Sequence, residues 1–360
     1  MPPSQVPISY QGIFHYRSGS TKQELKGIAL QNWLLEKNGK RWEDIPVPGS
    51  TLNDLEETSI RSFVGRAVQK GRIPSGAEND PPEVLLENLN LKPGGELSNA
   101  AVLLFGKKPS RINATCSFKI GRFGKSSDDL LFQDVIETNL FDMPEKVMEV
   151  LKSKYLVRPV GYEGIERTEY LEYPEDALRE SVLNAIIHKD YSGTFTFLRV
   201  YDDRLEIWNP GTLPDGLTIE KLKGSHPSVP RNANMANVFF MAGYVETWGR
   251  GTTKMISSCL AAGLPEPLIE EDHGGFRVVF RKDKFNAKEL AALGLSERQI
   301  RAALFVKEKG QITNAEYQML NAIGRSVAAT DLQDLVERKV LSRIGATGRG
   351  AKYVIFRENA

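Results

Sequence analysis

One helix in this chain carries a polar stripe that a buried helix tolerates only with partners. In Glu180-Ser-Val-Leu-Asn184-Ala-Ile-Ile-His188 the residues Glu180, Asn184 and His188 stand at i, i+4 and i+8, on one face of a helix. Leu178, Val182, Ala185 and Ile186 give the rest of that helix apolar surface. Burying such a stripe is costly unless its polar groups are satisfied. The chemistry fits a site: a carboxylate can activate water, and an amide oxygen one turn on can coordinate Mg²⁺.

Two glycine elements follow. Trp208-Asn209-Pro210-Gly211 ends a strand pattern, and Trp248-Gly249-Arg250-Gly251-Thr252-Thr253 precedes a helix pattern. Glycines before a helix N-terminus let backbone N–H groups approach phosphate oxygens. The ordered set, ExxxN then strand-NPG then GRG-helix, is far more specific than any one of its parts.

The 360 residues suggest two or three domains, and 41% hydrophobic with 26% charged residues is a globular composition. The net charge of +1 gives no bulk attraction to nucleic acid or membrane. Apolar runs such as 100–105 are too short to span a bilayer, and the N-terminus shows no secretory signal. Cys116 and Cys259 lie far apart and outside any CxxC, which points to a reducing cytoplasm.

Ile13–Arg17 reads as a strand, and Thr21-x-x-Glu24 as a capping box opening a helix through Leu34. A second helix is expected over Leu52–Lys70. Beyond residue 97, strands are expected at Ala101–Phe105, Cys116–Gly121 and Phe276–Arg281, with a hairpin at Thr194–Tyr201 and Arg204–Trp208. Helices are expected at Leu130–Ser153, Glu175–Lys189, Asn234–Met241 and Thr252–Ala262. The pattern implies an α+β sandwich. Gly124-Lys125-Ser126 imitates the end of a P-loop, but Lys119 stands where that motif needs glycine, so no helicase motor site is readable. His226 and His273 read as solvated loop histidines, and Trp208 and Trp248 as core or pocket wall.

The tail differs from the rest. Residues 281–360 hold 15 Lys and Arg against 9 Asp and Glu, a surplus of +6 that the +1 total hides. Ser296-x-x-Gln299 and Thr313-x-x-Glu316 are capping boxes opening two helices, and Ser326 is expected to cap a third. Strands at Leu341–Ile344 and Lys352–Phe356 complete the order of a winged helix-turn-helix. Such a unit presents recognition-helix residues to base edges and a basic wing to phosphates. Here those are Arg325, Ser326 and Thr330 on the helix, and Arg343, Arg349 and Lys352 on the wing. Double-stranded DNA is the expected partner, and a winged helix used only for dimerisation or packing is the alternative.

The central motifs resemble the GHKL ATPase fold of gyrase, Hsp90, histidine kinases and MutL. The phrases 174–191, 205–214, 243–251 and 98–106 are similar to a bacterial and archaeal family of ATP-binding transcriptional regulators, also described as RecG-related helicases. The resemblance implies a GHKL-like α/β sandwich over 97–283, after a helical linker at 53–96 and a partial Schlafen/AlbA-type segment at 1–52, with the winged helix at 284–360. It implies ATP and Mg²⁺ as cofactors, a homodimer and no membrane association. Glu180 looks like the general base and Asn184 like the Mg²⁺ ligand. Gly249, Gly251 and Thr252 look like the phosphate-contacting lid, and Gly211 like the glycine of the adenine turn. Asn209 stands where GHKL enzymes use aspartate, giving an acceptor oxygen without charge. The implied function is nucleotide-responsive DNA binding. Two alternatives are a DNA-binding regulator with a nucleotide-free central scaffold, and a defence or nucleic-acid-processing factor whose chemistry lies in a Schlafen-like part.

Overall fold

The computed structural model describes residues 9–18, 21–27, 30, 33–35, 39–156, 160–163, 166–169, 171–214, 216–224, 226–246, 249–283, 285–345 and 351–356. The chain divides into two compact units, Met1–Lys282 and Asp283–Ala360.

The first unit is built on a six-stranded sheet of order β4-β3-β7-β8-β10-β9. The strands are β3 (Phe118–Phe123), β4 (Leu130–Ile136), β7 (Thr196–Val200), β8 (Arg204–Pro210), β9 (Leu268–Asp272) and β10 (Gly275–Arg281). Only β3 with β7 is parallel, so the sheet is mixed. Two hairpins, β1 (His15–Ser18) with β2 (Thr21–Glu24) and β5 (Val160–Glu163) with β6 (Glu166–Glu169), form separate ladders. Alternation divides the large sheet into two faces. Ile120, Leu198, Ile207, Val278 and Ile269 lie in one buried row. Lys119, Phe197, Trp208 and Arg277 form the opposite, half-exposed row.

The helices are α1 (Glu57–Gln69), α2 (Pro82–Asn88), α3 (Asn99–Phe105), α4 (Met143–Val150), α5 (Glu175–Ile187), the single turn α6 (Ile219–Leu222), α7 (Ala233–Met241) and α8 (Gly251–Ala261). They share one core with the buried sheet face, including Phe63, Leu86, Phe105, Val147, Leu178, Val182, Phe239 and Met255. Phe63, Phe105 and Phe141 meet at centroid distances of 5.6–5.9 Å. Segment 53–96 therefore contributes core side chains and not only a connection.

Several elements differ from expectation. Ala101–Phe105 is helical, capped by the Ser98 side chain, which accepts from the Ala101 N–H. Residues 100–105 are all buried, so their continuous apolar run carries no period to separate helix from strand. Leu130–Ser153 is not one helix: β4 comes first, Asn139 Oδ1 accepts from the Asp142 N–H, and α4 starts only then. Thr21–Glu24 is a strand, with Thr21 opposite Ser18. Strand β9 was unforeseen.

The second unit holds α9 (Ala287–Ala292), α10 (Glu297–Lys309), α11 (Asn314–Asn321) and α12 (Arg325–Glu337). Its sheet has order β11-β13-β12, from β11 (Ile312–Thr313), β12 (Leu341–Ile344) and β13 (Lys352–Ile355). Both capping boxes are present, and Gly310 ends α10 at φ 83. Gly324, not Ser326, is the N-cap of α12, which places Ser326 inside the first turn. Val306, Tyr317, Ala328, Leu332, Leu335 and Leu341 form its separate core.

Candidate functional site

Helix α5 buries Leu178, Val182, Leu183 and Ile186 and leaves Glu180, Asn184 and His188 half-buried on one side. That side walls a cavity of about 320 Å³, a size suited to a small-molecule ligand. Asn209, Gly211, Gly249, Gly251 and Thr252 line the same cavity. Eight residues singled out from three separated segments thus converge on one space.

Local hydrogen bonding explains the convergence. The Asp190 N–H donates to the Pro210 carbonyl at 2.8 Å, tying the end of α5 to the end of β8. Asn232 Nδ2 donates to the carbonyls of Ile187 and Lys189, both at 2.9 Å, which satisfies the C-terminal end of α5. Gly211 has φ +125, and a Cβ there would lie 3.1 Å from the His188 carbonyl oxygen. Gly249 has φ +65, and its Cβ would fall 1.9 Å from the His226 carbonyl oxygen. Glycine is required at both turns.

Asn184 Nδ2 donates to Glu180 Oε1 at 3.0 Å. Burial pushes the Glu180 carboxyl above the usual range, and the Asn184 hydrogen bond and nearby Lys254 only partly oppose this. His188 is pushed down to about 4 by burial, with Arg231 and His226 adding to it, so it is neutral near pH 7. The Asn209 side chain is buried and donates from Nδ2 to the Pro210 carbonyl. Arg250, at the N-cap of α8, makes no side-chain cap hydrogen bond, and the first turn of α8 has no acidic residue. Its leading N–H groups therefore have neither an intrahelical partner nor an acidic neighbour in that turn.

This donor set fits a magnesium nucleotide. Asn184 Oδ1 is a hard oxygen donor one helical turn from the Glu180 carboxylate, and Mg²⁺ is usually held by one or two protein oxygens with phosphate and water. The α8 N-terminus with Gly249 and Gly251 suits phosphate oxygens. Among the described residues no group of three or more His, Cys, Asp or Glu forms a metal cluster.

Reading the sequence missed three features of the site. His226 is half-buried and lines the cavity: Nε2 is buried without a partner among the described residues, and Nδ1 lies 3.1 Å from the Pro227 carbonyl. Glu246 and Phe240 also line the wall. Trp208 lies on the opposite sheet face, its Nε1 donating to the Asp272 carbonyl at 2.9 Å, so it is not a cavity wall. Trp248 lies outside the described residues. Gly124–Ser126 form the β3–β4 turn, where the Gly124 N–H donates to the Asp129 carbonyl, which is no P-loop geometry.

In the second unit Arg325, Ser326 and Thr330 are exposed on α12, and Thr330 Oγ1 donates to the Ser326 carbonyl at 3.2 Å. Arg343 and Lys352 are exposed on β12 and β13, with Lys352 opposite Ile344. Arg349 lies outside the described residues.

No curated protein matches the sequence. No helix among the described residues is long and apolar enough to cross a membrane. The chain is similar to the crystal structure of the DIP2311 protein from Corynebacterium diphtheriae at TM-score 0.54 and 19% identity, over 96% of this chain and 70% of that one, which shows a shared fold. Residues 193–280 match the family model described as "Putative ATP-dependent DNA helicase recG C-terminal". The matched stretch contains Asn209, Gly211, Gly249, Gly251 and Thr252 and begins after Glu180 and Asn184. The chain thus carries an ATPase-like domain related to that C-terminal region.

Proposed function

We propose that the first unit binds ATP with Mg²⁺ in the α5–β8–α8 cavity, and that the chain is a nucleotide-responsive, DNA-binding transcriptional regulator. The observation that carries the nucleotide reading is the convergence of Glu180, Asn184, Asn209, Gly211, Gly249, Gly251 and Thr252 on one cavity of about 320 Å³. Asn184 Oδ1 would hold Mg²⁺, which supplies charge neutralisation at the phosphates when bound. Gly249, Gly251 and Thr252 would present backbone N–H groups to the phosphates. Glu180 holds a carboxylate that accepts a proton from a water beside it, so weak hydrolysis follows. Asn209 offers an amide to the base.

The DNA reading rests on the second unit. Its order of helix, strand, helix, turn, helix and hairpin supports a winged helix-turn-helix. Arg325, Ser326 and Thr330 would face bases, and Arg343 and Lys352 phosphates. The exposed side chains and the surplus of positive charge in this part of the chain support that assignment. A homodimer would present two such helices to two half-sites of double-stranded DNA. The buried free cysteines Cys116 and Cys259 suit a cytoplasmic protein. Nucleotide can alter DNA affinity only through its differential affinity for two states of the protein.

A second reading, a nucleotide-free scaffold, is favoured by one observation: Asn209 Nδ2 already donates to its own neighbour's carbonyl at 3.3 Å. Titration of the protein with ATP and Mg²⁺ separates the two. Saturable binding supports the first reading, and no binding of ATP, ADP or GTP leaves only the second.

A further inference from the structure

The six-stranded sheet ends in two very different edges. On one side β9 carries Glu270, Glu271 and Asp272, charges that discourage pairing with another strand. On the other side β4 reads Leu-Leu-Phe-Gln-Asp-Val-Ile and is apolar and open. Leu130, Leu131, Phe132 and Val135 are 45%, 58%, 39% and 47% exposed. The strand has no proline and no lysine. Its one charge, Asp134, is held by Lys154 Nζ at 2.7 Å and the Tyr155 hydroxyl at 2.6 Å. Alternate backbone groups of an edge strand point away from the sheet and want partners.

We propose that β4 is the seam of a homodimer, in which two copies join their sheets edge to edge, antiparallel, with Gln133 opposite its own counterpart. The proposal deepens the dimeric part of the reading above and is independent of nucleotide and DNA. The occupant follows from self-complementarity. Two copies related by a two-fold axis perpendicular to the sheet pair residues of the same face, so the axis passes between the two copies of one β4 residue. Centred on Gln133, Leu131 meets the partner's Val135, Val135 meets the partner's Leu131, Leu130 meets the partner's Ile136, and Phe132 meets the partner's Asp134. Centring on Phe132 sets Leu131 against Gln133 and Val135 against Asp129. Centring on Asp134 sets Leu131 against Glu137 and Val135 against Gln133. Of these three registers, only the Gln133 one matches the two most exposed apolar side chains to each other. The acidic β9 edge has no such self-match.

The test uses the full chain. Light scattering on a sizing column should give twice the monomer mass. Gln133→Cys should cross-link to itself under mild oxidation, because facing Cα atoms of an antiparallel pair lie about 4.5–5.5 Å apart, within disulfide reach. Leu131→Cys should not, because in this register its counterpart lies four residues away along the seam. Both native cysteines are buried, which keeps the background low. Leu131→Lys with Val135→Lys should weaken dimerisation at least about tenfold, with an unchanged near-ultraviolet circular dichroism spectrum. A monomer at micromolar concentration overturns the proposal together with the dimer. A dimer that resists the lysines, or that cross-links through Leu131→Cys and not Gln133→Cys, overturns this seam while leaving a dimer elsewhere.

Discussion

Glu180 Oε1 lies 1.8 Å from where a Cβ on Gly251 would sit. The catalytic carboxylate proposed on α5 and the first residue of α8 therefore share one van der Waals space, and only glycine permits both. Gly251→Ala must push the carboxylate aside or shift α8. We expect this substitution to weaken ATP binding by at least about tenfold, roughly 1.4 kcal/mol, while the melting temperature changes little. Titration calorimetry beside a thermal melt reads both. An alanine variant that binds ATP normally would separate the glycine from the site.

Glu180 is the proposed base. Glu180→Gln keeps the shape and removes proton acceptance, so ATP should still bind while hydrolysis falls by about 10²–10⁴. Because burial raises this carboxyl, its base form is lost as pH falls through that raised value, and turnover should decline at a higher pH than an ordinary carboxylate would give. Single-turnover phosphate release across pH checks this. Equal rates for wild type and variant would remove Glu180 from the chemistry.

A third prediction concerns Glu43, which is fully buried and accepts from the backbone N–H groups of Asn234 at 3.0 Å and Met235 at 3.1 Å. It thereby satisfies the N-terminal turn of α7, whose Ala233, Ala236, Asn237 and Phe240 line the cavity. Burial pushes its carboxyl up to about 7 against the two backbone hydrogen bonds. The folded state thus binds the proton more tightly than the unfolded state. The associated stability is fully present below the unfolded value near 4.5 and is lost as pH rises toward 7. The span corresponds to about 3 kcal/mol. Unfolding by urea from pH 4.5 to 8 should show this loss in wild type and a flatter curve in Glu43→Gln. Parallel curves would contradict it.

The DNA reading predicts two kinds of loss. Arg343→Ala with Lys352→Ala should lower affinity for any duplex and reduce the salt slope by about 0.9 per lost phosphate contact. Arg325→Ala should instead reduce discrimination between sequences, by about 1–3 kcal/mol at one base pair. Fluorescence anisotropy across salt concentrations separates the two. Unchanged binding in both variants would point to a packing role.

Much of the cavity lining was legible because its residues stand at fixed spacing. Glu180, Asn184 and His188 recur every fourth residue, and the two glycine turns flank recognisable elements. His226 was not legible. A lone loop histidine carries no periodic signal, and its place in the cavity follows from the Gly249 backbone closing on its carbonyl. In the fold, Ser296-x-x-Gln299 and Thr313-x-x-Glu316 announced their helices because a capping box is a local interaction. Thr21-x-x-Glu24 has the same spacing but became a strand, since pairing with β1 outcompetes the local signal. Ala101–Phe105 was misread because burial on every side erases the pattern that separates helix from strand.

The most direct test of the central claim is titration calorimetry of the purified chain with ATP, with and without Mg²⁺, wild type beside Asn184→Ala. Asn184 supplies the proposed metal oxygen and also holds Glu180 at 3.0 Å. The account predicts saturable, magnesium-dependent binding that the substitution weakens at least about tenfold. No heat with ATP, ADP or GTP up to millimolar concentration, or binding indifferent to both magnesium and Asn184, would contradict it.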